Sequence, residues 1–313
     1  MKRFALISLI ATSILLLALP AVLPGYYLGL VIRMLIFAIF AMSLDLLMGY
    51  TGLPSLGHSA FLGVAAYAVG IVSLRVSNNL FLTLGAGLGL ASITAALFGF
   101  LVLRSRGPQF LILTLSLAQV LWGVAFKWKS LTGGDDGMPG IPKPDPGLPW
   151  DLAGTTEFYY FALLLFLVAA TLMYMIVRSP FGCTLEGIRE NEARMRALGY
   201  NVWLHQYIAF VLAGVFGGLA GVLSAYYNGF VSPAELHLAT SAKGLLMVAL
   251  GGAGTLFGPA LGAAIVVLLE NILSSYTQRW LTILGAIYVL VVLFTPEGLW
   301  RWIRKGLGRW LPT

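Results

Sequence analysis

The sequence has little charge. Of its 313 residues, 19 are Lys or Arg and 12 are Asp or Glu, so 10% are charged, whereas roughly 25% is usual in soluble domains. Hydrophobic residues make up 59% of the chain, and its mean hydropathy is +0.91. So few polar groups cannot cover the surface of a soluble globular protein of this length. The composition therefore excludes that class and predicts a polytopic membrane protein.

The sequence also has a single cysteine and no nucleotide-binding loop. Cys183 is the only cysteine in the sequence, which excludes a disulfide framework within the chain. No Gly-x-x-x-x-Gly-Lys-Ser/Thr loop occurs, so we expect that the chain does not hydrolyse ATP, is not an enzyme, and binds no cofactor and no metal. The net charge of +7 is compatible with nucleic-acid binding. In a membrane protein, however, a basic excess more often orients the spans, and we expect no nucleic-acid partner.

Long apolar runs fill most of the chain. A transmembrane helix takes about 20 residues, and ten apolar segments can be distinguished, of which the eighth is short. We therefore predict an all-α polytopic membrane protein with about ten transmembrane helices, some broken or short, in a single domain over 1–313. The first segment is either an anchor or a cleaved signal, and we favour an anchor because no small-x-small cleavage site precedes the next span. The segments are 4–23, 26–48, 58–74, 80–103, 108–126, 158–177, 205–227, 240–251, 257–275 and 279–295.

The basic residues are distributed unevenly between the connections. If the first segment enters from the cytoplasm, twelve of the 19 lie on the cytoplasmic side and five outside, while Arg33 and Lys243 lie within or at the ends of spans. This excess predicts that both termini are cytoplasmic, and an even number of spans agrees with it. The cytoplasmic group is Lys2, Arg3, Arg104, Arg106, Arg178, Arg189, Arg194, Arg196, Arg301, Arg304, Lys305 and Arg309, and the outer group is Arg75, Lys127, Lys129, Lys143 and Arg279.

The longest outer connection, 127–157, is rich in Gly, Pro and Asp. It includes the stretch TGGDDGMPGIP at 132–142. These residue types interrupt helices and favour turns. We therefore predict that this connection lacks regular helix over most of its length.

The longest cytoplasmic connection, 179–204, is predicted to contain one short amphipathic helix over 183–199. It starts with a Ser-Pro turn and has Gly199 where a helix end belongs. Two pairs four residues apart, Glu190 with Arg194 and Glu192 with Arg196, have the favourable order. Such a helix either rests on lipid headgroups or docks in a groove of a separate cytoplasmic protein. The residues expected to share its apolar face are Leu185, Ile188, Met195 and Leu198.

Two groups of glycine and proline interrupt apolar regions, one in each half of the chain. Broken helices expose backbone groups that lipid cannot satisfy, so these segments are expected to line an enclosed or watery path. The alternatives are that the glycines allow close packing of helices or that they form a plain loop at the membrane surface. The candidate path residues are Gly49, Gly52, Ser55, Gly57 and His58 in the first group and Gly251, Gly252, Gly254 and Gly258 in the second.

Three charged residues lie within apolar runs, namely Arg33, Asp45 and Glu270. A charge in a span usually faces the interior of a helix bundle. From the sequence these residues either lie on a transport path or form pairs between helices, and both interpretations stay open.

Four stretches together resemble one family of membrane proteins. EGIRENEARMRALGYN at 186–201 resembles the cytoplasmic EAA-type loop of ABC importer permeases, in the form found in branched-chain amino acid permeases. The stretches GYTGLPSLGHSAFLGVAAY at 49–67, TGGDDGMPGIP at 132–142 and GGAGTLFGPALGA at 251–263 resemble other parts of the same family, and the first two are closest to its LivM-type subunits. Cys183, Arg194 and Pro54 depart from the family pattern.

The resemblance implies the ABC importer permease fold and import of branched-chain, hydrophobic amino acids across a prokaryotic inner membrane. It implies four kinds of partner: a second, LivH-type permease, two cytoplasmic ATPase subunits that use ATP, an extracytoplasmic solute-binding protein, and the lipid bilayer. The ATPases would drive transport by pushing on the 183–199 helix. The residues expected to carry this coupling are Ile188, Arg189, Glu190, Asn191, Glu192, Gly199 and Asn201.

Three other functions remain compatible with the sequence. A similar permease for urea or short-chain amides would share the same motifs. An ion-coupled secondary carrier would need a carboxylate relay, for which Asp45 and Glu270 are thin support. An intramembrane enzyme could use Asp135 and Asp136 with a metal, although adjacent acids in a Gly/Pro-rich loop more often form a turn.

Overall fold

The computed structural model describes residues 17–105, 107–147, 152–277 and 279, and part of the region 282–299. Most of these residues are helical. The greater part of the predicted first span, 4–23, and much of the predicted last span, 279–295, lie outside the described residues.

Most of the helices follow one another with short connections, and the long exception lies between α5 and α6. Helix α1 continues beyond its last α-helical residue as a π-helical turn, Leu46–Tyr50. Two short 3₁₀ helices, Gly134–Asp136 and Pro233–Leu236, lie in connections. The elements are α1 Gly25–Asp45, α2 Ser59–Arg75, α3 Leu80–Val102, α4 Pro108–Lys127, α5 Lys129–Thr132, β1 Met138–Pro139, α6 Thr155–Arg178, α7 Pro180–Glu190, α8 Glu192–Ala197, α9 Val202–Asn228, β2 Phe230–Val231, α10 Leu238–Gly251 and α11 Phe257–Tyr276.

Six helical segments of the described chain are long and apolar enough to cross a membrane, namely α1 with its π-helical turn, α3, α4, α6, α9 and α11. Two shorter apolar helices, α2 and α10, lie among them. This architecture agrees with the prediction of an all-helical polytopic membrane protein. The prediction of about ten spans is not confirmed by these six, and it stays a prediction.

The centre of the bundle is α9, which packs against α1, α2 and α3. Small residues make this close approach possible. A β-carbon at Gly221 would lie 2.0 Å from the carbonyl oxygen of Leu62, and one at Gly218 would lie 2.4 Å from the Ala91 side chain. Glycine at such positions lets helix backbones meet, which is a common way of packing helices in membranes.

The Gly221 contact gives a stability prediction. We expect Gly221→Ala to lower the melting temperature of the purified protein, since the added carbon meets a backbone oxygen and overpacking costs about 1–3 kcal/mol. Gly123→Ala is the control, because Gly123 is also helical but has open space where the carbon would go. Thermal unfolding in detergent measures both, and equal melting temperatures would contradict a packing role for Gly221.

The predicted outer connection folds onto the ends of several helices. Its strand β1 pairs antiparallel with β2, so that Met138 lies opposite Val231. The Arg75 guanidinium, at the end of α2, donates hydrogen bonds of 2.7 and 3.1 Å to the carbonyl oxygens of Ser130 and Leu131. Apart from α5, a short 3₁₀ helix, β1 and the first residues of α6, the described part of the connection is irregular, in agreement with its composition.

Candidate functional site

The predicted cytoplasmic connection contains two helices rather than one. Asn191 has an extended backbone with φ of −157°, and its side chain accepts a hydrogen bond of 2.9 Å from the N–H of Arg194. It therefore ends α7 and caps α8, because a side-chain cap competes with continuation of the helix. The prediction of one helix over 183–199 is wrong, and Glu190 and Arg194 do not share a helix. The other predicted pair forms, with 2.5 Å between Arg196 and Glu192.

The two helices differ in burial. Leu185 and Ile188 on α7 are buried against the bundle, whereas Leu198, just after α8, is 66% exposed. The four residues predicted to share an apolar face therefore do not share one. Leu185 and Ile188 thus anchor α7 to the bundle, whereas α8 lies at the surface.

Gly199 and Asn201 define the ends of neighbouring helices. Gly199 has φ of 88°, a left-handed conformation, and its N–H donates to the carbonyl oxygen of Arg196. The N–H of Tyr200 donates to the carbonyl oxygen of Met195, which completes a Schellman motif at the end of α8. Asn201 caps α9, since its side chain accepts a hydrogen bond of 3.1 Å from the N–H of Leu204.

Arg189, at the end of α7, is exposed over much of its surface, while its guanidinium contacts the end of α1. Its guanidinium donates a hydrogen bond to the carbonyl oxygen of Gly49 in the π-helical turn after α1. A β-carbon at Gly52 would lie 2.9 Å from the Arg189 side chain, and one at Gly254 would lie 3.0 Å from its guanidinium. Arg189 therefore contacts both glycine groups at once. Its side chain fits between them because Gly52 and Gly254 have no side chains.

Asp45 joins the same two segments from inside the bundle. Its side chain is fully buried and accepts hydrogen bonds of 2.7 Å from the N–H of Gly254 and 3.2 Å from the N–H of Leu256. Leu256 has φ of 55°, which is unusual for a residue with a branched side chain. Asp45 thus holds a strained loop at the start of α11.

The two glycine groups predicted from the two halves of the chain meet at this point. A β-carbon at Gly49 would lie 2.1 Å from the Asp45 carboxylate and 2.2 Å from the backbone nitrogen of Gly254. We call the assembly of Asp45, Gly49, Arg189, Gly254 and Leu256 the glycine junction. It connects α1, α7 and the loop before α11 through hydrogen bonds and close backbone contacts.

The other glycines of the second group also pack closely. A β-carbon at Gly251 would lie 2.0 Å from the carbonyl oxygen of Gly258, and one at Gly258 would lie 2.2 Å from the Thr255 hydroxyl oxygen. Gly252, with φ of 106°, forms the turn after α10. These contacts support the close-packing interpretation of this group.

His58 is placed in the packed core. Its side chain is fully buried beside Phe40 and Phe61, and Nε2 lies 2.8 Å from the Ser43 hydroxyl oxygen. That hydroxyl donates its own hydrogen to the Phe40 carbonyl oxygen, so Nε2 of His58 must carry the proton and Nδ1 is an acceptor. His58 thus joins α1 to the start of α2.

The remaining residues of the first group also make local contacts. The Ser55 hydroxyl oxygen accepts a hydrogen bond of 3.2 Å from the N–H of Gly57. A β-carbon at Gly57 would lie 2.1 Å from the carbonyl oxygen of Thr114. Gly52 is different, because it lines a cavity of about 260 Å³ between the bundle and α7 together with Ile188 and Arg189.

The remaining intramembrane charges are mostly paired. Glu270 on α11 forms an ion pair with Lys243 on α10, whose ammonium also lies 4.1 Å from the centre of the Phe37 ring. The structure therefore supports the pairing interpretation for Glu270. The sequence pattern did not identify Lys243 as its partner. The two residues are 27 positions apart and lie on different helices, so no local spacing relates them.

The described residues offer no support for a metal site. Asp135 and Asp136 are exposed in a 3₁₀ turn, and no group of three or more His, Cys, Asp or Glu side chains among the described residues could hold an ion. The alternative of a metal-dependent enzyme at this loop therefore has only the two adjacent acids in its favour.

Comparison with known proteins gives one family. The model of the family described as branched-chain amino acid transport system / permease component matches residues 26–295. The chain is 28% identical to the high-affinity branched-chain amino acid transport system permease protein LivM of Escherichia coli (strain K12), over 93% of this chain and 74% of that protein. It is 30% identical to LivM of Salmonella typhimurium, over 85% of this chain and 68% of that protein.

A relative with a different solute is also similar. The autoinducer 2 import system permease protein LsrC of Klebsiella pneumoniae is 29% identical, over 79% of this chain and 70% of that protein. No solved structure matches the chain.

Proposed function

The chain belongs to the branched-chain amino acid transport system permease family, and we propose that it is the LivM-type permease subunit of an ABC importer for branched-chain, hydrophobic amino acids. Two LivM proteins support this solute, since they align with most of the chain. The similarity to LsrC shows that permeases related to this chain carry other solutes. The solute therefore has to be tested directly.

The proposed importer contains further subunits. Since the sequence has no nucleotide-binding loop of the Gly-x-x-x-x-Gly-Lys-Ser/Thr type, ATP is hydrolysed by two separate cytoplasmic ATPase subunits. A second, LivH-type permease completes the membrane part, and an extracytoplasmic binding protein delivers the solute. In this proposal the protein lies in a prokaryotic inner membrane with both termini in the cytoplasm, as the distribution of Lys and Arg favours.

The observation that carries the proposed mechanism is the hydrogen bond from Arg189 to Gly49. ATPase subunits that close on ATP push on the 179–204 connection, where Glu190 is exposed. Because one face of α7 is buried against the bundle and Arg189 contacts the glycine junction, the push reaches the end of α1 and the start of α11. The irregular backbone there can change its angles more easily than a continuous helix, so the two helices can tilt and alternate access.

Reconstitution tests this function. The permease is placed in liposomes with its second permease, its ATPases and its binding protein, and uptake of labelled leucine, urea, acetamide and autoinducer 2 is compared with and without ATP. We expect ATP-dependent uptake of leucine. ATP-dependent uptake of urea or acetamide alone would establish a urea or amide importer, and uptake by the permease without ATPases would establish an ion-coupled carrier.

Gly199 gives a prediction about coupling. We expect Gly199→Val to reduce ATP-driven uptake several-fold while ATP hydrolysis continues, because a β-branched residue does not adopt the φ of 88° that ends α8. The space around Gly199 is open, so the effect comes from the backbone and not from a clash. Gly199→Asn is the matched control, since Asn tolerates this conformation. Normal uptake by the Val variant would contradict a role for the shape of this helix end.

A further inference from the structure

A second cavity lies at the opposite end of the bundle from α7 and α8. Its volume is about 460 Å³, within the range of small-molecule sites. Residues of α1, α6, α9 and α11 form its wall with one side chain from the outer connection. The polar and aromatic groups of this wall include Arg33, Lys143, Phe158, Tyr227 and Asn271.

The wall of this cavity is positively charged. Arg33 and Lys143 both contribute, and none of the described residues that line it is acidic. The Lys143 ammonium is already engaged, since it donates a hydrogen bond of 2.6 Å to the carbonyl oxygen of Ala153 and lies 5.3 Å from the centre of the Phe158 ring. Arg33 makes no hydrogen bond and no ion pair with any described residue. A guanidinium in this position is therefore available to a ligand.

One acidic residue near the cavity, Glu235, interacts with Arg33 electrostatically but forms no hydrogen bond or ion pair with it among the described residues. Lys243 interacts electrostatically with both Glu235 and Arg33. Glu270, however, is paired with Lys243, and Glu235 lies outside the cavity wall. Arg33 and Lys143 are therefore the charged side chains that the described residues contribute to the cavity wall, and both are basic.

Two neutral donors converge on the same space. The Asn271 side-chain oxygen accepts a hydrogen bond of 3.0 Å from the Tyr26 hydroxyl, and its amide nitrogen has no partner among the described residues. The Tyr227 hydroxyl lies close to Gly29, where a β-carbon would come within 2.7 Å of it, and it too is unpaired among the residues described. Gly29 therefore makes room for a polar group at the cavity wall.

We propose that this cavity is a solute site in which Arg33 binds the carboxylate of the amino acid. This inference rests on the proposed function, and it assigns the site at which the permease holds the solute. Arg is the side chain that best matches a carboxylate, because its planar guanidinium can donate two parallel hydrogen bonds. Tyr227 and Asn271, which line the same cavity, donate further hydrogen bonds to the carboxylate. Urea and simple amides have no carboxylate and gain little from this arrangement.

The test uses the complete importer in liposomes. We expect Arg33→Gln to lower ATP-driven leucine uptake by about tenfold or more, the size of effect expected when a hydrogen bond to a charged group is lost. Arg33→Lys keeps the charge and should retain an intermediate rate. Lys127→Gln is the control. It removes one exposed positive charge from the predicted outer side of the membrane, but Lys127 does not line the cavity.

Direct binding separates a solute site from a merely structural role. The importer without its binding protein is titrated with leucine and with leucinamide, which lacks the carboxylate, and its thermal unfolding is followed. We expect leucine to raise the melting temperature of the wild type, leucinamide to leave it unchanged, and Arg33→Gln to abolish the response to leucine. An equal response to both compounds would overturn the carboxylate assignment.

The outcomes distinguish this inference from the proposed function. If the wild type accumulates no leucine with ATP, the proposed function fails. If the wild type accumulates leucine and an assembled Arg33→Gln importer does so equally well, the function stands and the solute site fails. Should Arg33→Gln not assemble, Asn271→Ala and Tyr227→Phe take its place. Loss of leucine binding by those variants supports the site, and unchanged binding overturns it.

Discussion

Replacing Arg189 with alanine is expected to abolish most ATP-driven uptake while ATP hydrolysis continues. The variant loses the hydrogen bond to the Gly49 carbonyl oxygen and leaves space beside Gly52 and Gly254. In the proposed mechanism the ATPases of this variant still close and push on α7, but the movement is no longer passed to the helices of the glycine junction. We expect uptake to fall by about tenfold or more, as for loss of a charged hydrogen bond together with its packing.

The control for this prediction is Arg196→Ala. Arg196 has the same chemistry and lies in the same connection, where it also lines the cavity beside Arg189, but its side chain is 51% exposed and its ion pair is with Glu192 of its own helix rather than with the bundle. Such pairs contribute about 0–1 kcal/mol, so uptake should stay near the wild-type level. Uptake and hydrolysis are measured on the same liposomes. A parallel loss of hydrolysis in Arg189→Ala would assign Arg189 to ATPase contact rather than to transmission.

Much of the architecture could be predicted from local sequence patterns. The apolar runs predicted the helices, and the Gly-, Pro- and Asp-rich composition of the outer connection predicted its irregular backbone. Gly199 ends a helix where the pattern placed a helix end, with the hydrogen bonds of a Schellman motif. These features depend on residues close to one another in the chain, and a single sequence contains that information.

The break between α7 and α8 shows where local patterns conflict. The spacing of Glu190 and Arg194 favours a continuous helix, whereas Asn191 favours a cap. An i,i+4 pair contributes about 0.2–0.5 kcal/mol and an N-cap about 1 kcal/mol. The cap is the stronger local signal, and burial of Leu185 and Ile188 holds α7 in a direction that α8 does not share.

The glycine junction depends on contacts between distant parts of the chain. Glycines interrupt two regions of the sequence, but nothing in the sequence indicates the distance between Gly49 and Gly254. The role of Asp45 was missed for the same reason. A buried carboxylate needs donors, and here they are backbone N–H groups of Gly254 and Leu256. The available signal was Asp45 itself, an acid four residues before Gly49 in an apolar run. That signal does not identify the donors, which lie more than 200 residues away in the sequence.

Replacing Asp45 with alanine is expected to destabilise the protein more than Gly221→Ala does. It leaves the buried N–H groups of Gly254 and Leu256 without acceptors, and each unpaired group costs about 1–3 kcal/mol. Asp45→Asn keeps one side-chain oxygen and should have an intermediate effect. The melting temperature and the folded yield in detergent measure both, with exposed Asp135→Ala as the control.

A double-mutant cycle with Leu256 shows whether Asp45 acts through the strained loop. Leu256→Gly removes the backbone strain at φ of 55° and also a buried side chain. The free energy lost with that side chain is the same with and without Asp45, so it cancels in the cycle. If the carboxylate holds Leu256 in its unusual conformation, Asp45→Ala should cost less in the Leu256→Gly background than in the wild type. A coupling of about 0.5 kcal/mol or more would be measurable for residues in contact. Equal costs in the two backgrounds would mean that Asp45 stabilises the junction through Gly254 alone, and that the conformation of Leu256 is maintained by packing of its own side chain.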